Sequence, residues 1–164
     1  MKRLFLLRHA KSSWENEHLA DHDRPLAPRG RKAADRIGRY LRSEGIKPSL
    51  VLCSSARRTR ETLERVRADG EVMIEPELYG TSESELLERL RRVLADTVSV
   101  MLIGHNPGIQ DLALELAGHG HRLDDLRHKF PTAALATLTL RGGWSDLEPG
   151  SAELVGFVKP KELA

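Results

Sequence analysis

The stretch Leu4-Phe5-Leu6-Leu7-Arg8-His9-Ala10, close to the start of the chain, decides the predicted fold. Four large apolar residues in a row are too few to span a membrane, and they suit a strand buried on both faces of a sheet. The sequence turns polar directly after them, at Arg8 and His9. Because open α/β sheets build their sites at the carboxyl edge of the strands, we expect this pair to lie where ligands bind.

Length and composition indicate a single globular domain over residues 1–164. The hydrophobic fraction of 40% is ordinary for such a domain. No apolar run reaches transmembrane length, and the run after Lys2-Arg3 is too short for a signal peptide. We therefore expect a cytoplasmic protein that does not bind a membrane. The single cysteine, Cys53, follows the apolar run 50–52, which predicts a buried structural thiol.

Hydrophobic periodicity and turn signals predict alternating strands and helices, followed by two strands near the end of the chain. This order predicts an α/β fold of three layers, with helices on both faces of a mostly parallel sheet and an antiparallel C-terminal ribbon at its edge. A glycine-rich break is expected at 118–120. The predicted strands are 4–7, 50–53, 72–74, 98–103, 134–140 and 153–158, and the predicted helices are about 29–44, 57–68, 82–95, 109–117 and 124–130.

Polar segments follow three of the predicted strands. They are Arg8-His9, the segment from Ser54 to Thr62, and Gly104-His105-Asn106-Pro107. Because the carboxyl ends of parallel strands share one edge, we expect these segments to converge on one pocket. The arginines in them favour an anionic ligand, since a guanidinium pairs with two phosphate oxygens and keeps its charge. A helix that begins near Arg57 would direct free backbone N–H groups at the same anion.

Basic residues are concentrated between Arg24 and Arg42 and again between Arg57 and Arg67, although the net charge is only +2. Such patches are one signature of nucleic-acid binding. Carboxylates interrupt the second patch, and two Trp, two Tyr and three Phe offer little surface for base stacking. We therefore expect solvated helix faces with a few phosphate-binding arginines, and no nucleic-acid partner.

Four motifs in order resemble the histidine phosphatase superfamily, and within it the small phosphohistidine phosphatases of the SixA type. A strand followed by Arg-His-Ala is the first, and Asp23-Arg24-Pro25-Leu26 with Gly30 resembles the segment before the family's first helix. The third is Ser-x-x-x-Arg-x-x-x-Thr, at Ser54, Arg58 and Thr62. The fourth is Gly104-His105-Asn106-Pro107. The resemblance implies a phosphoglycerate mutase-like fold.

The resemblance also implies roles for these residues. His9 would be the nucleophile that accepts the phosphoryl group, and Arg8, Arg58 and His105 would bind its oxygens. Further candidates to bind phosphate are Arg24 and Ser12. No cofactor or metal is implied. A metal pair at residues 119–121 is disfavoured because no third ligand stands at suitable spacing.

The expected substrate depends on a difference between this sequence and the wider family, which is the lack of an acidic motif. Members that hydrolyse alkyl phosphates carry an acidic residue after the third strand, whereas the usual acidic motif is missing here. Glu77 and Glu83 remain candidates for that role. An imidazole leaves phosphorus more readily than an alkoxide does, which favours phosphohistidine on a signalling or carrier protein, such as a phosphotransfer domain. The alternatives are a phosphatase of small phosphoesters and a phosphate-binding module without turnover.

Overall fold

The first strand of the fold lies at the centre of its sheet. In a computed structural model, which describes residues 1–163, this strand is β1 (Lys2–Arg8). Leu4, Leu6 and Leu7 are fully buried and Phe5 nearly so. The strand pairs in parallel with residues 99–104 on one side and antiparallel with residues 135–140 on the other. The apolar run at the start of the chain therefore forms the middle of the core, as predicted.

Strands and helices alternate along most of the chain. Residues 1–163 form a seven-stranded sheet in the order β3-β2-β4-β1-β6-β7-β5. The strands after β1 are β2 (Leu50–Ser54), β3 (Glu71–Glu75), β4 (Ser99–Gly104), β5 (Ala117–Gly120), β6 (Leu135–Leu140) and β7 (Ala152–Val158). The helices are α1 (Pro28–Ser43), α2 (Arg57–Val66), α3 (Glu83–Arg91), α4 (Gly108–Leu116) and α5 (Leu123–His128), and short 3-10 turns occupy 21–23, 76–78, 144–146 and 160–162.

Two hydrophobic clusters divide the core between the two faces of the sheet. Leu4 and Leu6 contribute to the cluster that also contains side chains of α3, α4 and α5. Phe5 and Leu7 contribute to the other, with side chains of α1 and α2. Successive residues of a strand point to opposite faces, so one strand supplies both clusters. The three-layer α/β/α architecture and the antiparallel pairing of β6 with β7 confirm the predicted fold class.

The structure corrects two details of the predicted elements. The glycine-rich stretch 118–120 belongs to strand β5, which pairs in parallel with β7 outside the predicted ribbon. Glycine is rare in strands, so the residue pattern at 118–120 does not predict a strand. Helix α3 ends at Arg91 rather than near residue 95, and Leu94, which lies within the predicted helix, is 74% exposed.

Two further expectations concern burial and membranes. Cys53 is fully buried in β2, and burial raises the pKa of its thiol to about 12, so a structural role is supported. In the part of the chain that the structure describes, no helix is both long enough and apolar enough to cross a membrane.

Candidate active site

His9 lies at the carboxyl end of β1, against the end of β4. Its backbone N–H donates to the carbonyl oxygen of Gly104 at 3.0 Å. The ring Nδ1 lies 2.7 Å from the carbonyl oxygen of Ala10. A carbonyl oxygen can only accept a hydrogen bond, so Nδ1 carries the ring proton in this arrangement. The neutral ring therefore keeps its lone pair on Nε2, and that atom is available as a nucleophile.

The surroundings of His9 keep its ring neutral. The residue is 7% exposed. The pKa of His9 is lowered from 6.5 to about 3, mainly because the ring is buried. The hydrogen bond to Ala10 raises the pKa, whereas the positive charges of Arg58 and Arg8 lower it. An imidazole with such a pKa is unprotonated at neutral pH without help from a separate base.

His105 joins this site from the end of β4. Its ring centroid lies 5.3 Å from that of His9. Its Nε2 is 2.8 Å from the hydroxyl of Ser54, which also accepts a hydrogen bond from the backbone N–H of Ala56. Burial, followed by the charge of Arg58, lowers the pKa of His105 to about 4. The Ser54 hydroxyl accepts from Ala56 and can donate its own proton to Nε2 of His105. Because Nε2 is then the acceptor, the ring proton of His105 lies on Nδ1.

Two arginines flank the histidines. Arg8 ends β1 and donates from Nη1 to the carbonyl oxygen of Phe130 at 2.9 Å. Arg58 lies in the first turn of α2 and is buried. Burial and the charge of Arg58 together lower the pKa of Arg8, which is the expected effect of two cations held close together. The structure thus brings together all four residues that the sequence placed at this edge of the sheet.

Three buried nitrogen atoms of this site have no hydrogen-bond partner in residues 1–163. They are Nε of Arg8, Nε of Arg58 and Nδ1 of His105. An unsatisfied buried polar group costs about 1–3 kcal/mol, and such groups are uncommon in folded proteins. Their concentration beside His9 is what a site for a polyvalent oxyanion requires, since its oxygens accept several hydrogen bonds at once.

The sequence did not single out Asp21 or Tyr79, although both belong to the site. Asp21 accepts from Nη1 of Arg58 through its backbone oxygen at 2.8 Å and from Nη2 through Oδ2 at 3.0 Å. The hydroxyl of Tyr79 donates to the same carboxylate. Hydrogen bonds from Tyr79, Arg24 and Arg58 hold the pKa of Asp21 well below its usual range. The carboxylate is therefore ionised and fixes the guanidinium of Arg58.

Arg24 and Ser12 contact each other rather than the histidines. Nη1 of Arg24 donates to the Ser12 hydroxyl at 2.7 Å, and Nε and Nη2 donate to Asp21. The guanidinium also stacks 3.6 Å from the centre of the Trp14 ring. Its nitrogens are thus occupied within the protein, and Arg24 binds Oδ1 of Asp21 whereas Arg58 binds Oδ2. Phosphate binding by Arg24 and Ser12 stays a prediction.

The spacing of Ser54, Arg58 and Thr62 has a structural explanation. Ser54 orients His105, as described above, and Arg58 follows four residues later in the first turn of α2. The hydroxyl of Thr62 donates to the carbonyl oxygen of Arg58 at 2.7 Å and accepts from the backbone N–H of Ala10 at 3.0 Å. The three residues of the motif therefore orient His105, supply a guanidinium and fix the backbone that directly follows His9.

The other candidate groups lie apart from these contacts. Glu77 is exposed in a 3-10 turn, and Glu83 is partly exposed in the first turn of α3. Neither side chain makes a hydrogen bond to the four site residues within 1–163. His22, at the rim, contacts the Ser55 hydroxyl at 2.8 Å and the edge of the Tyr79 ring. Across the described residues, no three His, Cys, Asp or Glu side chains are grouped as a metal site would require.

Known proteins resemble this chain over nearly its whole length. An uncharacterized protein of Mycobacterium tuberculosis is 38% identical, with 94% of this chain and 100% of the relative covered. A structure from Nakamurella multipartitia, provisionally assigned as the phosphohistidine phosphatase SixA, is 34% identical with a TM-score of 0.86 and covers 97% and 96% of the two chains. One from Agrobacterium tumefaciens with the same provisional assignment is 30% identical, with a TM-score of 0.81 and coverage of 97% and 99%.

The family comparison agrees with the residues that form the site. The model of the histidine phosphatase superfamily (branch 1) matches residues 4–89, which include β1, Arg8, His9 and the motif from Ser54 to Thr62. His105 lies beyond the matched range, and the fold brings it to the same place. The chain therefore belongs to branch 1 of the histidine phosphatase superfamily.

Proposed function

We propose that this protein is a phosphohistidine phosphatase in which His9 carries the phosphoryl group between two half-reactions. The observation that carries the proposal is the state of His9: a neutral imidazole, protonated on Nδ1, lies beside two arginines and a second histidine. The free lone pair on Nε2 lies next to cationic N–H donors that have no partner within residues 1–163, and this arrangement suits attack on an anionic phosphorus centre. The substrate would be phosphohistidine on a signalling or carrier protein.

In the first half-reaction, Nε2 of His9 forms a bond to phosphorus while the bond from phosphorus to the substrate imidazole breaks. The electron pair of the broken bond stays on the departing nitrogen, which takes a proton from solvent. Arg8, Arg58 and His105 offer N–H groups to the equatorial oxygens, where charge must be countered in the transition state.

In the second half-reaction, water attacks the phosphoryl group on His9. The new oxygen–phosphorus bond replaces the bond to Nε2, the water loses a proton, and Nε2 recovers its lone pair as inorganic phosphate leaves. The same three donors serve this transition state, because the phosphoryl group is transferred to and from the same atom. The Nδ1–H bond to Ala10 holds the ring in one orientation through both steps.

The acid chemistry of the site favours phosphohistidine over alkyl phosphates. An alkoxide leaving group requires a proton from a nearby acid, whereas an imidazole leaves more readily. In residues 1–163, Asp21 is the carboxylate that bonds to Arg58, and also to Arg24, and its depressed pKa keeps it ionised. It cannot donate a proton at neutral pH. This feature supports phosphohistidine as substrate over sugar phosphates or nucleotides.

A comparison of rates on three substrates tests the proposal. A phosphohistidine protein, a sugar phosphate and an aryl phosphate are assayed at equal concentration, with and without a chelator. We expect the highest kcat/KM on phosphohistidine and no effect of the chelator. Preference for the sugar phosphate would make the protein a phosphatase of small phosphoesters, and phosphate binding without any turnover would make it a silent module.

A further inference from the structure

A strongly basic groove lies next to the candidate active site, outside the residues assigned above. We call it the cationic groove and define it by six exposed side chains. None of the described residues that line it is acidic, and none is Phe, Tyr or Trp. Two other clefts, by contrast, mix cations with several glutamates. The six side chains are Lys11, Arg29, Lys32, Arg36, Lys129 and Lys161.

The charge of the cationic groove is not neutralised within residues 1–163. Carboxylates do lie on neighbouring elements, but they pair with other cations. Asp125 bonds to Lys159 and Arg122, and Glu162 also bonds to Arg122. Asp35 on α1 lies 3.8 Å from Arg65 on α2. Like charges held together without counter-charges repel one another, so the groove favours an anionic partner.

Helix α1 supplies one wall of the groove. Arg29, Lys32 and Arg36 stand at positions i, i+3 and i+7, and therefore share one face of the helix over about 10 Å of its length. The first turn of α1 packs directly on the backbone of Lys11, where a Cβ on Gly30 would lie 2.1 Å from the carbonyl oxygen. This contact fixes the distance between the helix and the chain that follows His9.

Two chain segments connect the groove to His9. Lys11 lies two residues after His9 in the chain. Lys129 precedes Phe130, whose carbonyl oxygen accepts from Arg8. The backbone N–H of Ala133 donates to the carbonyl oxygens of both Arg8 and His9, at 3.0 Å each. A ligand whose phosphoryl group reached His9 would therefore place its neighbouring surface over the groove.

We propose that the cationic groove docks an acidic surface next to the phosphohistidine of the substrate protein, an inference that rests on the proposed function. Long, exposed and unpaired cations suit transient association with an opposite charge, because they steer the encounter without desolvation. A nucleic acid fits less well, since the described lining contains no Phe, Tyr or Trp on which bases could stack, and His128 is its one aromatic ring. A small polyanion fits less well too, because the cations spread over about 10 Å of open helix surface.

Two peptides of equal length test the proposal. Each carries one phosphohistidine, flanked by glutamates in one peptide and by glutamines in the other. Turnover is measured for both and for free phosphohistidine, in the native protein and in two variants. Arg36→Glu reverses a charge in the groove. Arg39→Glu makes the same change three residues later on α1, at an exposed arginine outside the groove. Binding of the fluorescent, unphosphorylated peptides to the His9→Ala variant is measured in parallel.

We expect the native protein to prefer the glutamate peptide in kcat/KM by about tenfold at low salt, and this preference to fall as salt screens the charges. Arg36→Glu should remove most of the preference without changing turnover of free phosphohistidine, and Arg39→Glu should retain it. Equal rates on both peptides, or equal effects of the two variants, would overturn the proposal.

Peptide binding to the His9→Ala variant tests the groove separately from the proposed phosphatase function. If no phosphohistidine substrate is hydrolysed, the proposed function fails, yet tighter binding of the glutamate peptide that depends on Arg36 still supports the groove. Competition with a single-stranded oligonucleotide and with tripolyphosphate completes the test. Displacement of the peptide by either competitor at a lower concentration than unlabelled glutamate peptide would show that the groove serves that class of ligand instead.

Discussion

Asp21 binds the guanidinium of Arg58 at two points. The backbone oxygen and Oδ2 of Asp21 accept from Nη1 and Nη2 of Arg58, at 2.8 and 3.0 Å, and the buried Nε has no partner within residues 1–163. A planar guanidinium bound at two points has one orientation. Asp21 is therefore a positioning residue for the proposed phosphate site.

Removal of this support should weaken catalysis in graded steps. We expect Asp21→Asn to lower kcat/KM moderately and Asp21→Ala to lower it about tenfold or more, which corresponds to about 1.4 kcal/mol of transition-state stabilisation. The negative charge of Asp21 raises the pKa of His105, so both variants should also lower that pKa in an NMR titration. Asp23→Ala, in the same 3-10 turn, is the control. Equal activity in all three variants would contradict the positioning role.

Two adjacent serines provide a matched test of the role of His105. Ser54 and Ser55 each lie 2.8 Å from Nε2 of a histidine, but Ser54 contacts His105 and Ser55 contacts His22 at the rim. Ser54→Ala should lower kcat about tenfold, because Nε2 of His105 loses the partner that keeps the proton on Nδ1. Ser55→Ala should stay within about twofold of the native rate. Equal losses of kcat in the two variants would show that the hydrogen bond between Ser54 and His105 has no particular role in catalysis.

Thr62 should contribute to stability as well as to the geometry of the site. Its hydroxyl is the acceptor for the backbone N–H of Ala10, which is fully buried. Thr62→Val would leave that N–H unsatisfied, at a cost of about 1–3 kcal/mol in the free energy of unfolding measured with urea. Thr137→Val on β6, whose hydroxyl makes no side-chain hydrogen bond within 1–163, is the control. Equal changes in the free energy of unfolding of the two variants would show that the hydrogen bond from Ala10 to Thr62 has no particular role in stability.

The sequence predicted the convergence at His9 because buried strands are recognisable and parallel strands share an edge. Leu4 to Leu7 and Val100 to Ile103 are continuous apolar runs, so the polar residues after them could be placed. Asp21 and Tyr79 could not be placed, because they lie in 3-10 and irregular segments without periodicity. Their contact joins positions 58 residues apart, and no local pattern encodes it.

Burial of two neutral histidines predicts a loss of stability in acid. The folded-state pKa values of His9 and His105 are about 3 and about 4, whereas an unfolded chain titrates at 6.5. Between these values the unfolded chain binds more protons, so stability is full above pH 6.5 and falls as the pH drops below it. We expect the urea midpoint to be lower at pH 5 than at pH 7.5.

The control for this effect removes the titrating groups. In a His9→Gln/His105→Gln variant, the difference in unfolding free energy between pH 5 and pH 7.5 should shrink by an amount on the order of 1 kcal/mol per histidine. An unchanged difference would show that other groups cause the acid sensitivity. Selective ¹⁵N labelling of the histidines would then give their pKa values directly.

The central claim is that Nε2 of His9 accepts the phosphoryl group. Its most direct test is to incubate the protein briefly with a phosphoramidate donor, quench it in base and locate the adduct by peptide mass spectrometry. We predict a phosphoryl group on His9 in the native protein and in His22→Ala, and no adduct and no turnover in a folded His9→Ala variant. Adduct on another residue, or turnover that persists in His9→Ala, would contradict the account.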